Sequence, residues 1–295
     1  PAPMSAPLNA APSRDGRRSG SGTWRRFRRN RLAIVGLAIV ATVVALAVAA
    51  PLLPLADPYL TLPSDRLLPV GTPGHPLGTD GLGRDMLSRV VFGARTSLAV
   101  GLLATTLAAV IGSAIGLVAG SLGGRTDSAL MRTVDVLMAF PYLLLAIALV
   151  AVLGPGLLNA MIAIAVVNIP FFARAVRGST LSVVSSEFVE AARALALPRW
   201  RIILTEILPN VLPIVIVTAS TTVGWMITET AGLSFLGLGA QPPTADWGAM
   251  LGAGRNQITS APHVMLVPGT AIFIVVISLN FIGDGLRDAL DPRLR

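Results

Sequence analysis

The sequence predicts an all-α integral membrane protein with six transmembrane helices, and the distribution of charge is the main reason. The 295 residues are 53% hydrophobic and 13% charged, whereas a soluble domain has about 25% charged residues. Residues 136–173 contain no Asp, Glu, Arg or Lys, and a bilayer core takes about 20 apolar residues per helix. Gly-Pro-Gly at 154–156 lies near the middle of this interval, so the interval predicts two helices joined by a short hairpin.

Four more charge-free intervals supply the other spans. They cover residues 32–56, 96–124, 207–228 and 256–283. Segments this long must be helical, because in lipid the backbone satisfies its own hydrogen bonds, and a β-barrel would show alternating segments of about 10 residues instead. We expect the six spans at about 32–53, 97–122, 129–153, 157–173, 210–230 and 264–282. Pro141 predicts a kink in the third span.

The positive charge of the chain predicts its orientation. The net charge is +8, and all 23 basic residues are arginines. If the N-terminus is cytoplasmic and six spans follow, 18 arginines lie inside and five lie outside, which is the bias that membrane proteins obey. The arginines expected outside are Arg66, Arg84, Arg89, Arg95 and Arg255. The basic charge therefore indicates topology, with both termini cytoplasmic, and not a nucleic-acid partner.

The chain divides into three parts by composition. Residues 1–30 form a cytoplasmic tail, disordered at first and then basic and aromatic from 24 onwards, where it contacts lipid head groups. Residues 31–95 hold the first span and an extracytoplasmic segment that ends in a helix-like run from Asp85. The first span exceeds the 7–15 apolar residues of a signal peptide, so we expect an uncleaved anchor. Residues 96–295 form the core with the other five spans.

Local patterns predict two contacts inside this core. Gly112, Gly116 and Gly120 are spaced four apart in the second span, and small residues at this spacing let helix backbones approach closely. Asp135 lies one turn inside the cytoplasmic face, where we expect it to pair with Arg132.

The chain has no cysteine and only two histidines, so disulfides, thiolate metal sites and histidine-rich metal sites are excluded.

The cytoplasmic loop 174–209 specifies two short helices where a plain connector would be flexible. Ser186 is a suitable N-cap for the first, and Glu187 and Glu190 fall in its first turn, where acidic side chains complement the helix dipole. Pro198 ends this helix and suits the first position of the second, which we expect to end before Pro209. A rigid helix with small alanines between two spans is suited to docking into a groove of a soluble partner.

A motif in this loop resembles a known one. It consists of Glu190-Ala191-Ala192 followed by Ile202, Leu208 and Pro209. It resembles the EAA loop of ABC importer permeases, in which a coupling helix engages the ATPase. The family usually has glycine four residues after the second alanine, and this chain has Ala196. Residues 75–89, 93–98 and 229–248 in turn resemble segments of the dipeptide/oligopeptide permease family.

The resemblance implies the second, C-type permease subunit of a peptide importer, with the ABC type I importer permease fold, in the bacterial inner membrane. It implies four kinds of partner: a second homologous permease, two ATP-binding subunits or domains, an extracytoplasmic substrate-binding protein and membrane lipid. ATP and magnesium would be bound by the ATP-binding partners, and no cofactor by this subunit. Short peptides are the expected substrate, with nickel complexes, haem or opines as alternatives. The residues that it assigns to coupling are Glu187, Glu190, Ala191, Ala192, Ala196 and Pro198.

Two other functions fit the sequence less well. An intramembrane serine protease needs a nucleophile with a base in reach, and Gly232-Leu233-Ser234 is followed by Phe235 where such a motif has glycine. A proton- or ion-coupled transporter needs titratable groups at mid-membrane or an internal repeat, and neither is found. The chain has no lysine, so it lacks the phosphate-binding loop of ATPases.

Glu229 is the one candidate residue for the substrate path. It lies at the outer end of the fifth span, where a carboxylate could face the amino group of a substrate. The alternative is a structural carboxylate that accepts hydrogen bonds from backbone N–H groups of the following loop, and the sequence favours this alternative.

Overall fold

The computed structural model describes residues 24–290, and this part of the chain is a bundle of helices without β-strands. The predicted disordered part of the N-terminal tail, within residues 1–23, and the C-terminal residues 291–295 lie outside it. The helices are α1 (Arg31–Ala49), α2 (Met86–Leu122), α3 (Gly124–Met138), α4 (Tyr142–Leu153), α5 (Leu157–Val184), α6 (Glu187–Ala194), α7 (Arg199–Ile202), α8 (Leu208–Phe235), α9 (Trp247–Gly254) and α10 (His263–Leu290). Five helical stretches are long and apolar enough to span a membrane, or six if α3 and α4 together form one span.

α1 begins at a capped end and lies along α10. The Asn30 side chain accepts a hydrogen bond from the N–H of Ala33 (3.1 Å), which satisfies one free donor of the first turn. Phe27, from the basic segment before α1, is buried in a small cluster with Ala33 and Ala289. Phe27 thus packs against the bundle, whereas Trp24 is exposed.

α2 corrects the expected start of the second span. The helix-like run from Asp85 and the span expected from Ser97 form one helix of 37 residues. Asp85 caps it by accepting a hydrogen bond from Ser88 N–H (2.7 Å). No turn residue separates the two parts, so the helix extends past the apolar interval with the buried polar residues Ser88 and Arg89, which bond to the segment before α2.

The close packing predicted for the glycines of α2 is confirmed. A Cβ added at Gly112 would lie 2.6 Å from the carbonyl oxygen of Ile169, and one at Gly120 would lie 2.7 Å from the Thr180 side chain. Both partners belong to α5. The absence of side chains on this face of α2 therefore lets its backbone touch α5 along three turns.

The third span is broken where only a kink was expected. α3 and α4 meet at an angle of 88° across Ala139–Pro141, and Pro141 takes the N-cap position of α4. Proline lacks an N–H and disfavours helical geometry in the residue before it. The predicted pair between Asp135 and Arg132 is wrong, because Asp135 accepts a hydrogen bond from Arg174 on α5 (2.6 Å).

We expected the second helix of the loop to end before Pro209, but it continues through this residue. α7 runs through a π-helical turn, Ile203–Ile207, directly into α8. In this turn the N–H of Leu208 bonds to the carbonyl of Ile203, which inserts one extra residue before the proline. Asn210 Nδ2 also donates to the Glu206 carbonyl (2.6 Å). Pro209 takes the second position of α8, and the helix continues through it.

A buried ionic cluster orders the segment between α1 and α2. Arg84 Nε donates to Asp80 Oδ2 (2.7 Å), and both side chains are buried. Arg89 Nη1 donates to the carbonyl of Pro58 (2.9 Å), and its Nε lies 3.6 Å from Asp80 Oδ2. A segment rich in proline and glycine thereby becomes a fixed part of the fold.

Candidate coupling site and transmembrane cavity

α6 is seated on the bundle by its two buried residues. Val189 is fully buried and Ala192 is 6% exposed. Both pack in a cluster that joins α5 to the π turn and α8 through Val176, Ile207 and Val211. Ala192 therefore serves as a packing residue of this helix, whereas Ala191 next to it is exposed.

The acidic end of α6 is free for a partner. Ser186 occupies the N-cap position, as predicted, but its side chain does not cap the helix: its hydroxyl donates to the Ser182 carbonyl (3.4 Å). Glu187 and Glu190 lie in the first turn and are exposed. Within residues 24–290, neither carboxylate forms an ion pair or a side-chain hydrogen bond. Two negative charges at a helix N-terminus thus face away from the protein.

The carboxyl end of α6 turns sharply at Ala196. This residue has φ +54°, the left-handed conformation that glycine normally supplies after a helix. The N–H of Leu197 bonds to the carbonyl of Ala192 (3.3 Å) and that of Ala196 to Arg193 (2.9 Å). This pair of bonds, with the apolar contact of Leu197 against the cluster around Ala192, is a complete Schellman motif. The bend is therefore formed with alanine in place of the usual glycine.

Pro198 lies at the N-cap of α7, one position before the one predicted for it. Its carbonyl accepts hydrogen bonds from Arg201 (2.9 Å) and Ile202 (3.2 Å). It is exposed, as are the large apolar side chains of Leu195 and Trp200. Proline can occupy this position because an N-cap needs no backbone donor.

We call the exposed side of this helix pair the coupling face. Its residues are Glu187, Phe188, Glu190, Ala191, Ala194, Leu195 and Trp200. Exposed large apolar residues that lie together mark an interaction surface. Glu187, Glu190 and Ala191 of this face were predicted from the sequence, whereas Phe188, Leu195 and Trp200 were not.

Ion pairs connect α5, the helix that precedes the coupling face, to α3. α5 leads into α6 across Ser185 and Ser186. On α5, Arg177 donates to both carboxylate oxygens of Asp127 (2.6 and 2.7 Å), in the bidentate geometry that fixes two groups most firmly. Arg174 and Asp135 form a second, more exposed pair (2.6 Å). A movement of α6 would therefore reach α3 as well as α5.

Glu229 lies within α8 and does not bond to the backbone of the following loop, so the expected structural partner is wrong. Its side chain is 6% exposed. Oε2 accepts a hydrogen bond from Nδ2 of Asn168 on α5 (2.9 Å), and Oε1 has no hydrogen-bond partner in the described part of the chain. Asn168 also donates to the carbonyl of Ile164 (2.9 Å). The sequence could not reveal this pair, because its members are 61 residues apart.

A cavity of about 310 Å³ opens beside Glu229, at the break between α3 and α4. Its walls come from α3, α4, α5 and α8, and they are apolar except for Asn168 and Glu229. Tyr142 and Trp225 line it with their rings 6.3 Å apart. The break in the third span thus creates space next to the buried carboxylate.

Comparisons with known proteins agree with this architecture. Residues 112–295 match the family described as the binding-protein-dependent transport system inner membrane component. Residues 20–69 match the N-terminal transmembrane domain of oligopeptide transport permease C. The chain therefore belongs to the family of inner membrane components of binding-protein-dependent transport systems, and it is a multi-pass membrane protein. Within that family it is a C-type permease of the peptide ABC importers.

Curated relatives cover nearly the whole chain. The dipeptide transport system permease protein DppC of Alkalihalophilus pseudofirmus is 46% identical over 99% of this chain and 97% of its own length. The glutathione transport system permease protein GsiD of Pectobacterium atrosepticum is 44% identical over 92% of this chain and 90% of its own. The same-named protein of Escherichia coli O157:H7 is 45% identical over the same shares.

A solved structure shares the fold. The MetNI methionine ABC transporter in an inward-facing conformation superposes with a TM-score of 0.57, at 22% sequence identity, over 70% of this chain and 98% of the other. A second crystal form of that transporter gives a TM-score of 0.58 at 21% identity. The predicted permease fold is thereby confirmed.

Proposed function

We propose that this chain is the subunit through which an ATP-driven importer moves short peptides into the cytoplasm. The names of the relatives support this substrate class, because one is assigned to dipeptides and the other to glutathione, which is itself a short peptide. Both names favour peptides over the nickel complexes, haem or opines that the sequence resemblance leaves open. They also give no support to a proton-coupled transporter.

The working complex in this proposal contains a second homologous permease, two ATP-binding subunits or domains and an extracytoplasmic substrate-binding protein. ATP and magnesium are bound by the ATP-binding partners, and this chain has no catalytic site or cofactor of its own. Both of its termini face the cytoplasm, which places the coupling face on the side where ATP is available.

The coupling face is the observation that carries the proposal. Val189 and Ala192 hold α6 on the bundle, and Glu187 and Glu190 are exposed beside apolar Phe188 and Leu195. A fixed helix with an apolar centre and charged edge is the kind of element that docks into a groove. When the ATP-binding partners close, their movement would pass through α6 to α5, and through the Arg177–Asp127 pair to α3.

Reversing the charge of Glu190 tests the docking role. Glu190→Arg places a cation in the first turn of α6, where the helix dipole disfavours it by about 0.3–1 kcal/mol. The proposed partner groove would accept the negative charge of Glu190, so the reversed charge at this position should cost additional binding free energy. We expect substrate-stimulated ATPase activity of the reconstituted complex to fall by roughly tenfold, which corresponds to about 1.4 kcal/mol. Membrane insertion of the permease should persist.

Asp57→Arg is the matched control, because Asp57 is exposed in the segment between α1 and α2. It should leave ATPase stimulation and peptide uptake within about twofold of wild type, as surface substitutions do. Normal uptake by the Glu190→Arg complex would remove the docking role. Uptake that continues without the ATP-binding partners would contradict the importer class altogether.

A further inference from the structure

Glu229 has an unusual environment for a charged side chain inside a membrane-spanning helix. It is 6% exposed, and none of the ion pairs in residues 24–290 includes it. Asn168 satisfies Oε2 (2.9 Å) and leaves Oε1 without a partner. Ionisable groups in membrane-spanning helices are costly and almost always face the bundle interior or a water-filled cavity. The packing of the helices therefore does not explain why Oε1 is buried without a hydrogen-bond partner.

The cavity beside Glu229 supplies the rest of a binding site. Its volume of about 310 Å³ falls within the range of small-molecule sites. Tyr142 on α4 and Trp225 on α8 form part of its wall, and both remain about half exposed. The two rings are tilted by 49° with centroids 6.3 Å apart, so they pack against each other as one aromatic wall of the cavity. Large aromatic side chains thus surround one buried, half-satisfied carboxylate.

This combination selects a cation that carries N–H donors. A carboxylate oxygen accepts strong, charge-assisted hydrogen bonds from an ammonium group, and the faces of tryptophan and tyrosine attract cations within about 6 Å. An anion would be repelled by Glu229. The Asn168 amide donates to the carboxylate and so fixes its orientation. The site thus suits an organic ammonium group whose attached part carries no negative charge close to the ammonium.

We propose that Glu229, Asn168, Tyr142 and Trp225 form a subsite, within the membrane, for the free amino terminus of the transported peptide. This inference rests on the proposed function as a peptide permease and names the group of the substrate that the transmembrane path recognises. Glu229 accepts the ammonium through Oε1, Asn168 positions the carboxylate through Oε2, and the two rings cover the charge from lipid.

The test uses the reconstituted complex of both permeases, the ATP-binding subunits and the binding protein. The substrate probes are dialanine and glutathione, each with a free amino group, and their N-acetylated forms. Glu229→Gln keeps an amide oxygen for Asn168 and removes only the charge. We expect this variant to lose at least about tenfold in uptake of the free peptides, while its uptake of any acetylated form stays within about twofold of wild type.

A second measurement does not depend on delivery by the binding protein. The thermal midpoint of the complex of permeases and ATP-binding subunits is recorded with dialanine at millimolar concentration, because a ligand that binds only the folded state raises it. We expect dialanine, and not its acetylated form, to raise the midpoint of wild type and of the control Asp57→Asn. For Glu229→Gln we expect an unchanged midpoint without peptide and no increase with dialanine.

Three results are distinguishable. If the wild-type complex imports neither free peptide, the proposed function fails before the subsite is tested. If import is normal and Glu229→Gln behaves as wild type in both measurements, the subsite is wrong. If Glu229→Gln lowers the midpoint without peptide and reduces uptake of free and acetylated forms equally, Glu229 has a structural role, and the subsite is again wrong.

Discussion

At the scale of single residues, Ala196 holds the left-handed backbone conformation that glycine normally adopts after a helix. The left-handed conformation costs an L-residue roughly 1–2 kcal/mol, and glycine escapes this cost. In this chain two backbone hydrogen bonds and the packing of Leu197 hold the bend in spite of the alanine. The turn between α6 and α7 is therefore strained at one identifiable position.

This strain gives a prediction for Ala196→Gly. We expect the substitution to raise the free energy of opening the coupling loop by about 1 kcal/mol, because the gain in the folded state exceeds the entropic cost of glycine in the unfolded chain, about 0.5–1 kcal/mol. Hydrogen exchange of the amides of 187–197 in the purified complex measures this opening. Slower exchange is expected.

Ala194→Gly is the matched control, since Ala194 is exposed and helical within α6. There glycine should lower the same free energy by about 0.5–1 kcal/mol and speed the exchange. If both substitutions speed exchange equally, the left-handed turn is not the strained position.

The sequence predicted the positions of Glu187 and Glu190 in the first turn of α6, but it did not predict the cavity. Glu187 and Glu190 could be placed because they act through a local rule, the position of acidic side chains in a first turn. Asn168 could not be placed, because its contact with Glu229 depends on how α5 and α8 pack. Ser186 was predicted as a cap from its type alone, and its hydroxyl instead donates to an i−4 carbonyl.

At the scale of helices, the contact between α2 and α5 sets how tightly the bundle closes. A Cβ at Gly116 would contact the carbonyl oxygen of Ala173 and lie 2.8 Å from the N–H nitrogen of Arg177. Both atoms belong to the backbone of α5 and cannot move by a side-chain rotation. Close approach at Gly116 also positions Arg177 for its pair with Asp127.

Gly116→Ala should therefore be destabilising even though alanine is the better helix former. Overpacking of this kind costs typically 1–3 kcal/mol, and we expect a lower thermal midpoint of the purified permease. Gly178, also on α5, has no atom within 4 Å of an added Cβ. Gly178→Ala should stabilise by about 0.5–1 kcal/mol. An equal response of the two variants would show that the backbones of α2 and α5 can separate at little cost.

Charge-free intervals predicted where the long apolar helices lie but not where they end. α2 extends 11 residues before Ser97, because the helix continues beyond the lipid into the ordered segment at Asp80 and Arg84. The effects of proline also differ from site to site: Pro141 breaks a span, whereas Pro170, Pro213 and Pro268 lie within helices. Neighbouring helices and local turns can satisfy the freed backbone groups, so the outcome depends on packing that a local pattern does not contain.

At the scale of the whole molecule, the pair α3–α4 decides the topology. If it crosses the membrane, the chain has six spans, and the coupling face lies on the same side as the N-terminus. If the bend of 88° makes it a re-entrant loop, five spans remain. In that case every segment after α4 lies on the opposite side, and Arg193, Arg199 and Arg201 lie outside, against the positive-inside rule.

The chain offers a direct measurement of this topology because it contains no cysteine. Single cysteines at the exposed positions Val70, Pro155, Ser185 and Ile258 would be labelled by a membrane-impermeant maleimide in intact cells only where they face outwards. We expect labelling at Val70, Pro155 and Ile258, and labelling at Ser185 only after the cells are opened. With a re-entrant α3–α4, Pro155 and Ile258 would be protected and Ser185 labelled, while Val70 would not change. Val70 therefore serves as the internal control, and labelling of Ser185 in intact cells would place the coupling face away from ATP.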